Sequence, residues 1–212
     1  MKEKIKLYLQ QNPKLKQLVL DLWVHPYSAR TRWWARVFVY PLIIKRGKGS
    51  IIRRTARLDL NATNKLVIGT RSIIEDDVII NNGIGDVIIG KNTMITSRGM
   101  ILGPITIGDN VVSGIGTQLV ALTHSYENID IPIKKQGVKG TPITIGNDVW
   151  IGGNCIILQG VTIGTHSLVA AGSVVTKNVA SYTIVAGNPA REIKKYDFEL
   201  KEWVKVKKIE YA

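Results

Sequence analysis

Aliphatic residues recur at every sixth position along most of the chain. The stretch ITIGNDVWIGGNCIILQGVTIGTHSLVAAGSVVTKNV, residues 143–179, places one at each of positions 145, 151, 157, 163, 169 and 175. A β-strand has a side-chain period of two and an α-helix one of 3.6, so neither element alone explains a period of six. The spacing predicts short strands separated by tight corners, arranged as a structural repeat.

The same six-residue spacing relates Ile52 to Leu58, and from Ile68 onward the register has two breaks. An insertion of about three residues lies near the sequence NGIGD, residues 82–86. A longer break follows Leu119, because residues 125–142 are polar and carry no period. This second break predicts a single loop that leaves a regular scaffold.

Three units of six residues would close one triangular coil, whose inward aliphatic residues stack on those of the next coil. Glycine, asparagine or aspartate often follows the aliphatic residue, as in IGDN and IGND, and these residues suit corners that need special backbone torsions. Each coil would contact only its neighbours, so the two ends of the stack need caps.

Helical spacing replaces the six-residue period before residue 51. The dipeptide Asn-Pro at 12–13 is typical of a helix start, and apolar residues follow at positions 15, 18, 19 and 22. His25-Pro26 ends that run, and a second helix is predicted from Ser28 to Pro41. A third is expected from about Asp197 as the C-terminal cap.

The predicted organisation has three parts. They are a basic, aromatic N-terminal helical segment (1–50), an all-β repeat domain with one loop at 125–142 (51–190), and a C-terminal tail with a short helix (191–212).

Net charge is concentrated in the first quarter of the chain. The 212 residues carry a formal charge of +13, and residues 1–57 contain 14 Lys/Arg but only Glu3 and Asp21 as acids. The basic balance therefore describes the N-terminal segment and not the repeat domain. The single cysteine, Cys155, allows no intrachain disulfide. The N-terminus resembles no secretory signal, so a cytoplasmic location is expected.

Arginines alternate with aromatic residues in the second predicted helix, where Arg30, Arg32 and Arg36 lie among Trp33 and Trp34. One interpretation is an amphipathic helix at the anionic inner face of a membrane. The other is that the aromatic residues cap the repeat domain and the arginines face solvent. Basic and aromatic residues also bind nucleic acids, but no nucleic-acid-binding motif accompanies them, so none is expected as a partner.

The segment GNDVWIGGNCIILQGVTIGTHSLVAAGSVVTKNVASYTIVAGNPAREIKK, residues 146–195, resembles the hexapeptide-repeat acyltransferases. It is most similar to the branch with galactoside, maltose and exopolysaccharide O-acetyltransferases, and the resemblance covers roughly residues 50–195. It implies an all-β fold, a left-handed parallel β-helix, whose handedness the period alone does not give. It also implies a homotrimer with active sites between subunits.

The resemblance places His124, in THSYEN at the root of the loop, where the family has its catalytic histidine. His124 would act as general base in direct transfer from acetyl-CoA to an acceptor hydroxyl. Many relatives have a second histidine where this chain has Tyr126, and Glu127 is a candidate for orienting His124. His25 and His166 are interpreted as surface or turn residues.

Other site residues follow from the same resemblance. The residues expected to line acetyl-CoA are Trp150, Gly153, Ala171, Thr176, Lys177, Arg191 and Lys194, the last three basic ones facing its phosphates. Galactoside acetyltransferase uses an asparagine on the acceptor side, and the aligned place here is near Thr96, with Arg98 adjacent. Thr96, Arg98, Tyr126 and Glu127 are thus the candidate acceptor-binding residues.

Cys155 suggests a covalent acetyl-cysteine, but it lies at a fifth position among small inward-facing residues, which favours core packing. No metal is expected. The γ-class carbonic anhydrases share the fold but need three histidines on zinc, and His124 and His166 are too far apart in sequence to supply the close pair.

The predicted function is acetyl-CoA-dependent O-acetylation of a saccharide or polysaccharide precursor. Two alternatives stay open at this stage. One is N-acetylation of an amino sugar or an antibiotic on the same scaffold, and the other is a non-catalytic β-helix used for assembly.

Overall fold

A computed structural model describes residues 7–8, 11–23 and 31–206.

Three parallel sheets form the sides of a triangular β-helix. Sheet 1 contains β1 (Ile44–Arg46), β4 (Leu66–Ile68), β7 (Val87–Ile89), β10 (Ile105–Ile107), β15 (Ile143–Ile145) and β18 (Thr162–Ile163). Sheet 2 contains β2 (Ile51–Ile52), β5 (Ile73–Ile74), β8 (Met94–Ile95), β11 (Val112–Ser113), β16 (Trp150–Ile151) and β19 (Leu168–Val169), extended by β21 (Thr183–Gly187), β22 (Ala190–Asp197) and β23 (Glu202–Lys205). Sheet 3 contains β3 (Arg57–Asp59), β6 (Ile79–Asn81), β9 (Met100–Leu102), β12 (Gln118–Val120), β17 (Ile156–Leu158) and β20 (Val174–Val175).

The six-residue period produces this architecture directly, and the predicted β-helix is confirmed. Each aliphatic position pairs in register with the equivalent position one coil away, as Leu119 does with Ile157 and Ile157 with Val175. These residues face inward and form one continuous buried core. The first strand, β1, begins at Ile44, before the boundary that the period places at residue 51.

Three corners connect the sheets within each coil. Corner 1 joins sheet 1 to sheet 2, corner 2 joins sheet 2 to sheet 3, and corner 3 joins sheet 3 to sheet 1 of the next coil. The insertions predicted from the breaks in the period, at 82–86 and 125–142, both lie at corner 3. Both predicted excursions from the regular scaffold therefore leave from one edge of the prism.

The glycines that begin the turns of corner 1 are needed for close approach and not for special torsions. They are Gly47, Gly69, Gly90, Gly108, Gly146 and Gly164, and none has a positive φ, whereas Gly49, two residues into the first turn, does (φ 72°). The positive φ falls two residues later, at Arg71, Asn92, Asn110, Asp148 and His166. The prediction that corner residues adopt special backbone torsions is thus right for asparagine and aspartate and wrong for these glycines. A Cβ on Gly108 would lie 2.7 Å from the carbonyl group of Gly146 in the next coil.

We expect Gly108→Ala to lower the free energy of unfolding by about 1–3 kcal/mol, because the added methyl must push two coils apart. Urea denaturation followed by circular dichroism measures this loss. Asn110→Gly is the matched control, since it removes a side chain from a left-handed position that glycine adopts readily, and it should change stability by less than about 1 kcal/mol. A larger loss in Asn110→Gly than in Gly108→Ala would contradict this account of the corner.

Helices cover the N-terminal end of the stack. They are α1 (Pro13–Trp23), α2 (Trp33–Phe38) and α3 (Tyr40–Ile43). Tyr40 and Ile43 are buried against the first coil, where the Tyr40 hydroxyl donates to the Leu58 carbonyl at 2.6 Å and accepts from the Leu60 N–H at 3.1 Å. Burial is the largest cause that raises the pKa of Tyr40.

The second predicted helix, Ser28 to Pro41, is two short helices. Pro41 does not stop a helix but lies in the first turn of α3, where its missing N–H costs nothing. Ser28, His25 and Pro26 lie outside the described residues. No helix in the described ranges is long and apolar enough to cross a membrane.

The predicted C-terminal helix from Asp197 is wrong for residues 197–206, and residues 207–212 lie outside the described residues. Residues 190–197 form β22, which pairs antiparallel with β21, and β23 pairs antiparallel with β22. The last parallel strand of sheet 2 would otherwise leave unpaired N–H and C=O groups, and this hairpin satisfies them. Edge-to-face aromatic contacts, such as Tyr196 with Trp203 at 5.5 Å between ring centroids, stabilise it.

Candidate active site

His124 lies at corner 3, at the base of the long loop. It ends β13 (Leu122–His124), which pairs antiparallel with β14 (Val138–Gly140), so that His124 is opposite Val138. This short ladder closes the loop at its root and holds the histidine at a defined place on a rigid scaffold. The residue is exposed, and within the described part of the chain its imidazole makes no hydrogen bond or ion pair. It is therefore free to accept a proton from a bound molecule.

Glu127 does not orient His124. Its carboxylate pairs with the Lys139 ammonium at 2.7 Å across the loop and also accepts from the Tyr126 N–H at 3.0 Å. The hydrogen bond from Lys139 is the main cause that lowers the pKa of Glu127 to about 2, so the carboxylate is ionised at neutral pH. The pair links the two sides of the loop near its base, and Tyr126 stays exposed beside it.

Thr176 and Lys177 share corner 3 with His124. They follow β20 and lie two coils further along the stack, both exposed. Adjacent coils are separated by the strand spacing of about 4.8 Å, so these residues lie roughly 10 Å along the axis from the level of His124.

Gln159 lies between these two levels, in the intervening coil. Its Oε1 is buried and has no hydrogen-bond partner among the described residues. A buried acceptor without a partner costs about 1–3 kcal/mol, so a donor from a bound molecule or a neighbouring chain would be favourable there.

Corner 2 carries the small residues of the predicted cofactor site. Gly114, Gly153 and Ala171 stack in successive coils, with Gly114 packed so closely on Gly153 that no Cβ fits between them. The Gly172 N–H donates to the Gly153 carbonyl at 2.9 Å, while the position of a Cβ on Gly172 would be open space. Ala171 and Gly172 are exposed, so small residues leave the backbone of this edge, the corner-2 cradle, accessible.

Trp150, Arg191 and Lys194 lie on sheet 2. Trp150 is in the outward row that continues through Leu168 and Ile184 to Lys194. The indole is exposed, and the guanidinium of Arg191 donates only to its neighbouring carbonyl. An exposed tryptophan below two basic side chains can offer an aromatic face and anion-binding groups on one surface.

The two acceptor-side candidates, Thr96 and Arg98, lie on corner 2, two coils before Gly153. The Thr96 hydroxyl donates to the Ser113 carbonyl at 2.7 Å. Its single proton is therefore already used in a hydrogen bond within the chain. Arg98 adopts a left-handed conformation (φ 60°) and is exposed. Both residues are thus far from the loop that carries His124, Tyr126 and Glu127.

The predicted site residues therefore fall into two groups on one chain. His124, Tyr126, Glu127, Thr176 and Lys177 lie at corner 3, whereas Thr96, Arg98, Trp150, Gly153, Ala171, Arg191 and Lys194 lie at corner 2 and on sheet 2. Sheet 3 separates the two corners. A single chain does not bring the groups together.

The outward faces of the prism differ in polarity. Sheet 2 presents Met94, Val112, Trp150, Leu168 and Ile184, and sheet 3 presents Met100, Leu102, Val120, Ile156, Leu158 and Val174. The later strands of sheet 1 instead present Thr106, Thr144 and Thr162. Two adjacent faces are therefore apolar, and the third is polar over its second half.

Cys155 is a core residue, as its position in the repeat predicts. It is fully buried, and its Sγ donates to the Ala170 carbonyl at 3.1 Å. Burial raises the pKa of the thiol, so little thiolate is present at neutral pH. The residue lacks the exposure and the charge environment of a nucleophile.

We expect Cys155→Ala to retain transfer activity within about twofold, because the thiol takes no part in the reaction. It should lose about 1 kcal/mol of stability, because a small cavity forms in the core. Release of free CoA measures the first effect and thermal denaturation the second. An activity loss as large as that of a general-base variant would instead indicate a covalent mechanism.

His166 occupies the left-handed position of corner 1, with φ 58°, and stacks near Tyr182 at 5.5 Å between ring centroids. The interpretation as an exposed turn residue is confirmed. No group of three or more His, Cys, Asp or Glu residues suited to a metal ion occurs within the ranges that the structure describes.

Sequence reasoning missed three contributors to the site. Gly114 carries no motif, and its role depends on a neighbour one coil away. Lys139 and Gln159 are ordinary polar residues in the sequence. Only the folded loop shows that Lys139 holds Glu127. Only the stacking of coils shows that the Gln159 side-chain oxygen is left without a donor among the described residues.

Comparisons with known proteins agree with this architecture. The family model described as "Bacterial transferase hexapeptide (six repeats)" matches residues 142–177, and "Hexapeptide repeat of succinyl-transferase" matches residues 86–119. The protein SAR2635 of Staphylococcus aureus strain MRSA252, named as an acetyltransferase, is 32% identical over 181 residues, which cover 80% of this chain and 89% of that protein.

Galactoside O-acetyltransferase of Escherichia coli K12 is 35% identical over 130 residues, covering 60% of this chain and 62% of that protein. The chain spans less than half the length of two other relatives, from Schizosaccharomyces pombe and Saccharomyces cerevisiae. Among solved structures, AntD, an N-acyltransferase from Bacillus cereus in complex with dTDP and 3-hydroxybutyryl-CoA, superposes with a TM-score of 0.62. It is 25% identical and covers 76% of this chain and 87% of that one.

Proposed function

The chain belongs to the hexapeptide-repeat acetyltransferases, and on that premise we propose that it transfers an acetyl group from acetyl-CoA to a hydroxyl group of a saccharide. The observation that carries the proposal is the placement of His124. The one histidine at the base of the long loop is exposed on a rigid ladder, at the edge of an apolar face.

The residues of corner 2 and sheet 2 fit coenzyme A. The exposed backbone at Gly153, Ala171 and Gly172 lets an extended chain approach closely, since no side chain obstructs it. Arg191 and Lys194 would hold the phosphates, and Trp150 would pack against the pantetheine. When bound, the thioester supplies an activated acetyl group.

His124 acts on the acceptor. Its imidazole takes the proton of the attacking hydroxyl as the new C–O bond forms, and holds that proton until the thiolate leaves. The same proton then passes to the thiolate, so the histidine returns to its neutral form. No covalent enzyme intermediate is needed, in agreement with the burial of Cys155.

A homotrimer would complete the site. A threefold arrangement that packs sheet 3 of one chain against sheet 2 of the next would bury the apolar residues of both faces. The corner-3 group of one chain would then face Trp150 and Lys194 of its neighbour. The separation of the two groups on one chain and the apolar character of these faces support this arrangement.

N-acylation of an amino sugar is the second candidate. The similarity to AntD, which is an N-acyltransferase, favours it, whereas the relation to galactoside O-acetyltransferase favours the hydroxyl acceptor. His124 would perform the same step in either case, because an ammonium acceptor must also lose a proton before it attacks.

Calorimetric titration of acetyl-CoA into the purified protein, with CoA as comparison, tests the proposal first. We expect one acetyl-CoA site per chain. In a second assay, adding sugars with free hydroxyl groups should release the CoA thiol. Release with amino sugars alone would select the second candidate. Absence of acetyl-CoA binding to folded protein would reject both and leave a non-catalytic scaffold.

Mixed trimers test the shared site. His124→Ala removes the base, and Ala171→Trp fills the corner-2 cradle, so each variant alone should be inactive. Coexpressed in equal amounts, random trimers should regain about a quarter of the wild-type activity, because that share of interfaces pairs an intact base with an intact cradle. If mixed trimers recovered no transfer activity, the base at corner 3 and the cradle at corner 2 would have to act within the same chain.

A further inference from the structure

A groove lies at the N-terminal end of the β-helix, between α2 and β3. One wall is the helix face formed by Trp33, Arg36, Val37 and Tyr40, which follow one another at helical spacing. The other wall is the first strand of sheet 3 at Ala56 and Leu58. This part of the groove is apolar and opens to solvent. It lies at the opposite end of the stack from the C-terminal hairpin.

Arginines line the continuation of the groove. Arg36, Arg54 and Arg57 border it together with Thr31, Asp59 and Asp77. Arg57 is neutralised, because its guanidinium pairs with the Asp59 carboxylate at 2.7 Å. Arg36 and Arg54 make no ion pair with any described residue. An apolar pocket thus runs directly into a site where three guanidinium groups outnumber two carboxylates.

Large apolar side chains surround this groove and face water. Trp33 is 71% exposed, Phe38 64% and Leu42 78%, which is unusual for residues next to a packed core. Helix α1 adds a stripe of exposed residues at helical spacing, Leu15, Leu18, Val19 and Leu22. Arg32 donates to the Asp21 carbonyl at 3.1 Å and so holds the end of α1 beside α2.

The charge of this end selects the partner. Residues 31–57 contain eight Lys/Arg and no acidic residue, which exceeds the two carboxylates of the groove, Asp59 and Asp77. A second copy of the same surface would be repelled, whereas an anionic surface would be attracted. Tryptophan favours the boundary between lipid and water, and guanidinium groups bind phosphate oxygens in a two-pronged geometry. The pattern fits a bilayer that contains anionic phospholipid.

We infer that the N-terminal end of the β-helix docks on an anionic bilayer, with a lipid phosphate bound between Arg36 and Arg54. Trp33 and Val37 enter the interfacial region, and the β-helix stands away from the membrane. The inference is independent of the acyl acceptor, because it rests on surfaces at the other end of the molecule from Arg191 and Lys194.

Vesicle cosedimentation of the full-length wild-type protein tests this. Vesicles of phosphatidylcholine alone are compared with vesicles that contain about one third phosphatidylglycerol, at low and at physiological salt. We expect binding to the anionic vesicles only, weakened by salt. Arg36→Gln combined with Arg54→Gln should weaken binding roughly tenfold or more. Trp33→Ala should also weaken it.

Matched controls separate the groove from general charge and general hydrophobicity. Arg53→Gln removes one charge, as Arg36→Gln alone does, from an exposed neighbour that does not line the groove. Leu200→Ala removes an apolar side chain that is 64% exposed at the opposite end. Both should bind nearly as wild type does. Circular dichroism and the melting temperature verify that every variant is folded.

Three results would overturn the inference. The first is no sedimentation with anionic vesicles at low salt. The second is an equal loss in Arg53→Gln and Arg36→Gln, which would mean diffuse attraction without a groove. The third is thermal stabilisation by inorganic pyrophosphate, or binding of a labelled RNA oligonucleotide, in the absence of vesicle binding. Acetyl-CoA titration of the same samples is unaffected by any of these outcomes.

Discussion

Replacement of His124 by alanine is expected to lower the rate of acetyl transfer by about 10²- to 10⁴-fold, the usual contribution of a positioned general base. The fold should be unaffected, because the side chain is exposed and makes no contact that holds the loop. The loop is instead closed by backbone pairing of β13 with β14 and by the pair of Glu127 with Lys139. Acetyl-CoA should still bind, so calorimetry and turnover separate binding from chemistry.

His166→Asn is the matched control for this experiment. It also removes an exposed imidazole, but at corner 1, and asparagine tolerates the left-handed conformation there. We expect its activity to equal that of the wild type. If His124→Ala retained full transfer activity with a competent acceptor, His124 would not be the base, and another group at corner 3 would have to be sought.

Replacement of Ile157 by alanine is expected to lower the free energy of unfolding by about 2–5 kcal/mol. Ile157 is fully buried in sheet 3, where it pairs with Leu119 on one side and Val175 on the other. Each coil of a solenoid is supported only by its neighbours, so a cavity in a middle coil weakens both of its interfaces. Equilibrium urea denaturation at a fixed protein concentration measures the loss.

Ile129→Ala is the comparison, since the same atoms are removed from a loop residue that is 95% exposed. It should change stability by less than about 0.5 kcal/mol. Equal losses in the two variants would show that the stacked aliphatic row does not hold the coils together. A loss in Ile157→Ala that grows on dilution would show in addition that folding is coupled to subunit association.

The sequence alone determined the β-helix and its core. A period of six excludes an ordinary helix or strand, and each aliphatic position it marks, from Ile145 to Val175, faces inward. The long break after Leu119 likewise located the loop of His124. These features could be predicted because each depends on the order of residues along the chain.

The tertiary structure decided what depends on neighbouring coils. The corner-1 glycines serve close approach between coils, which no local torsion preference shows. Residues 202–205 form a strand because an unpaired sheet edge is available to them, although the chain from about Asp197 was predicted to be helical. The side chain of Glu127 binds Lys139 because the antiparallel pairing of β13 with β14 brings the two sides of the loop together.

The arrangement of the site also required the fold. The sequence identified His124 and the set around Trp150 and Ala171, but it could not show that sheet 3 separates them on one chain. Which edge of the prism a residue occupies depends on the number of residues inserted at each earlier corner. Residues near in sequence can therefore lie on different edges, whereas residues several coils apart share one. Sequence order specified the repeat and its buried row, and stacking of the coils in three dimensions specified which surfaces can meet.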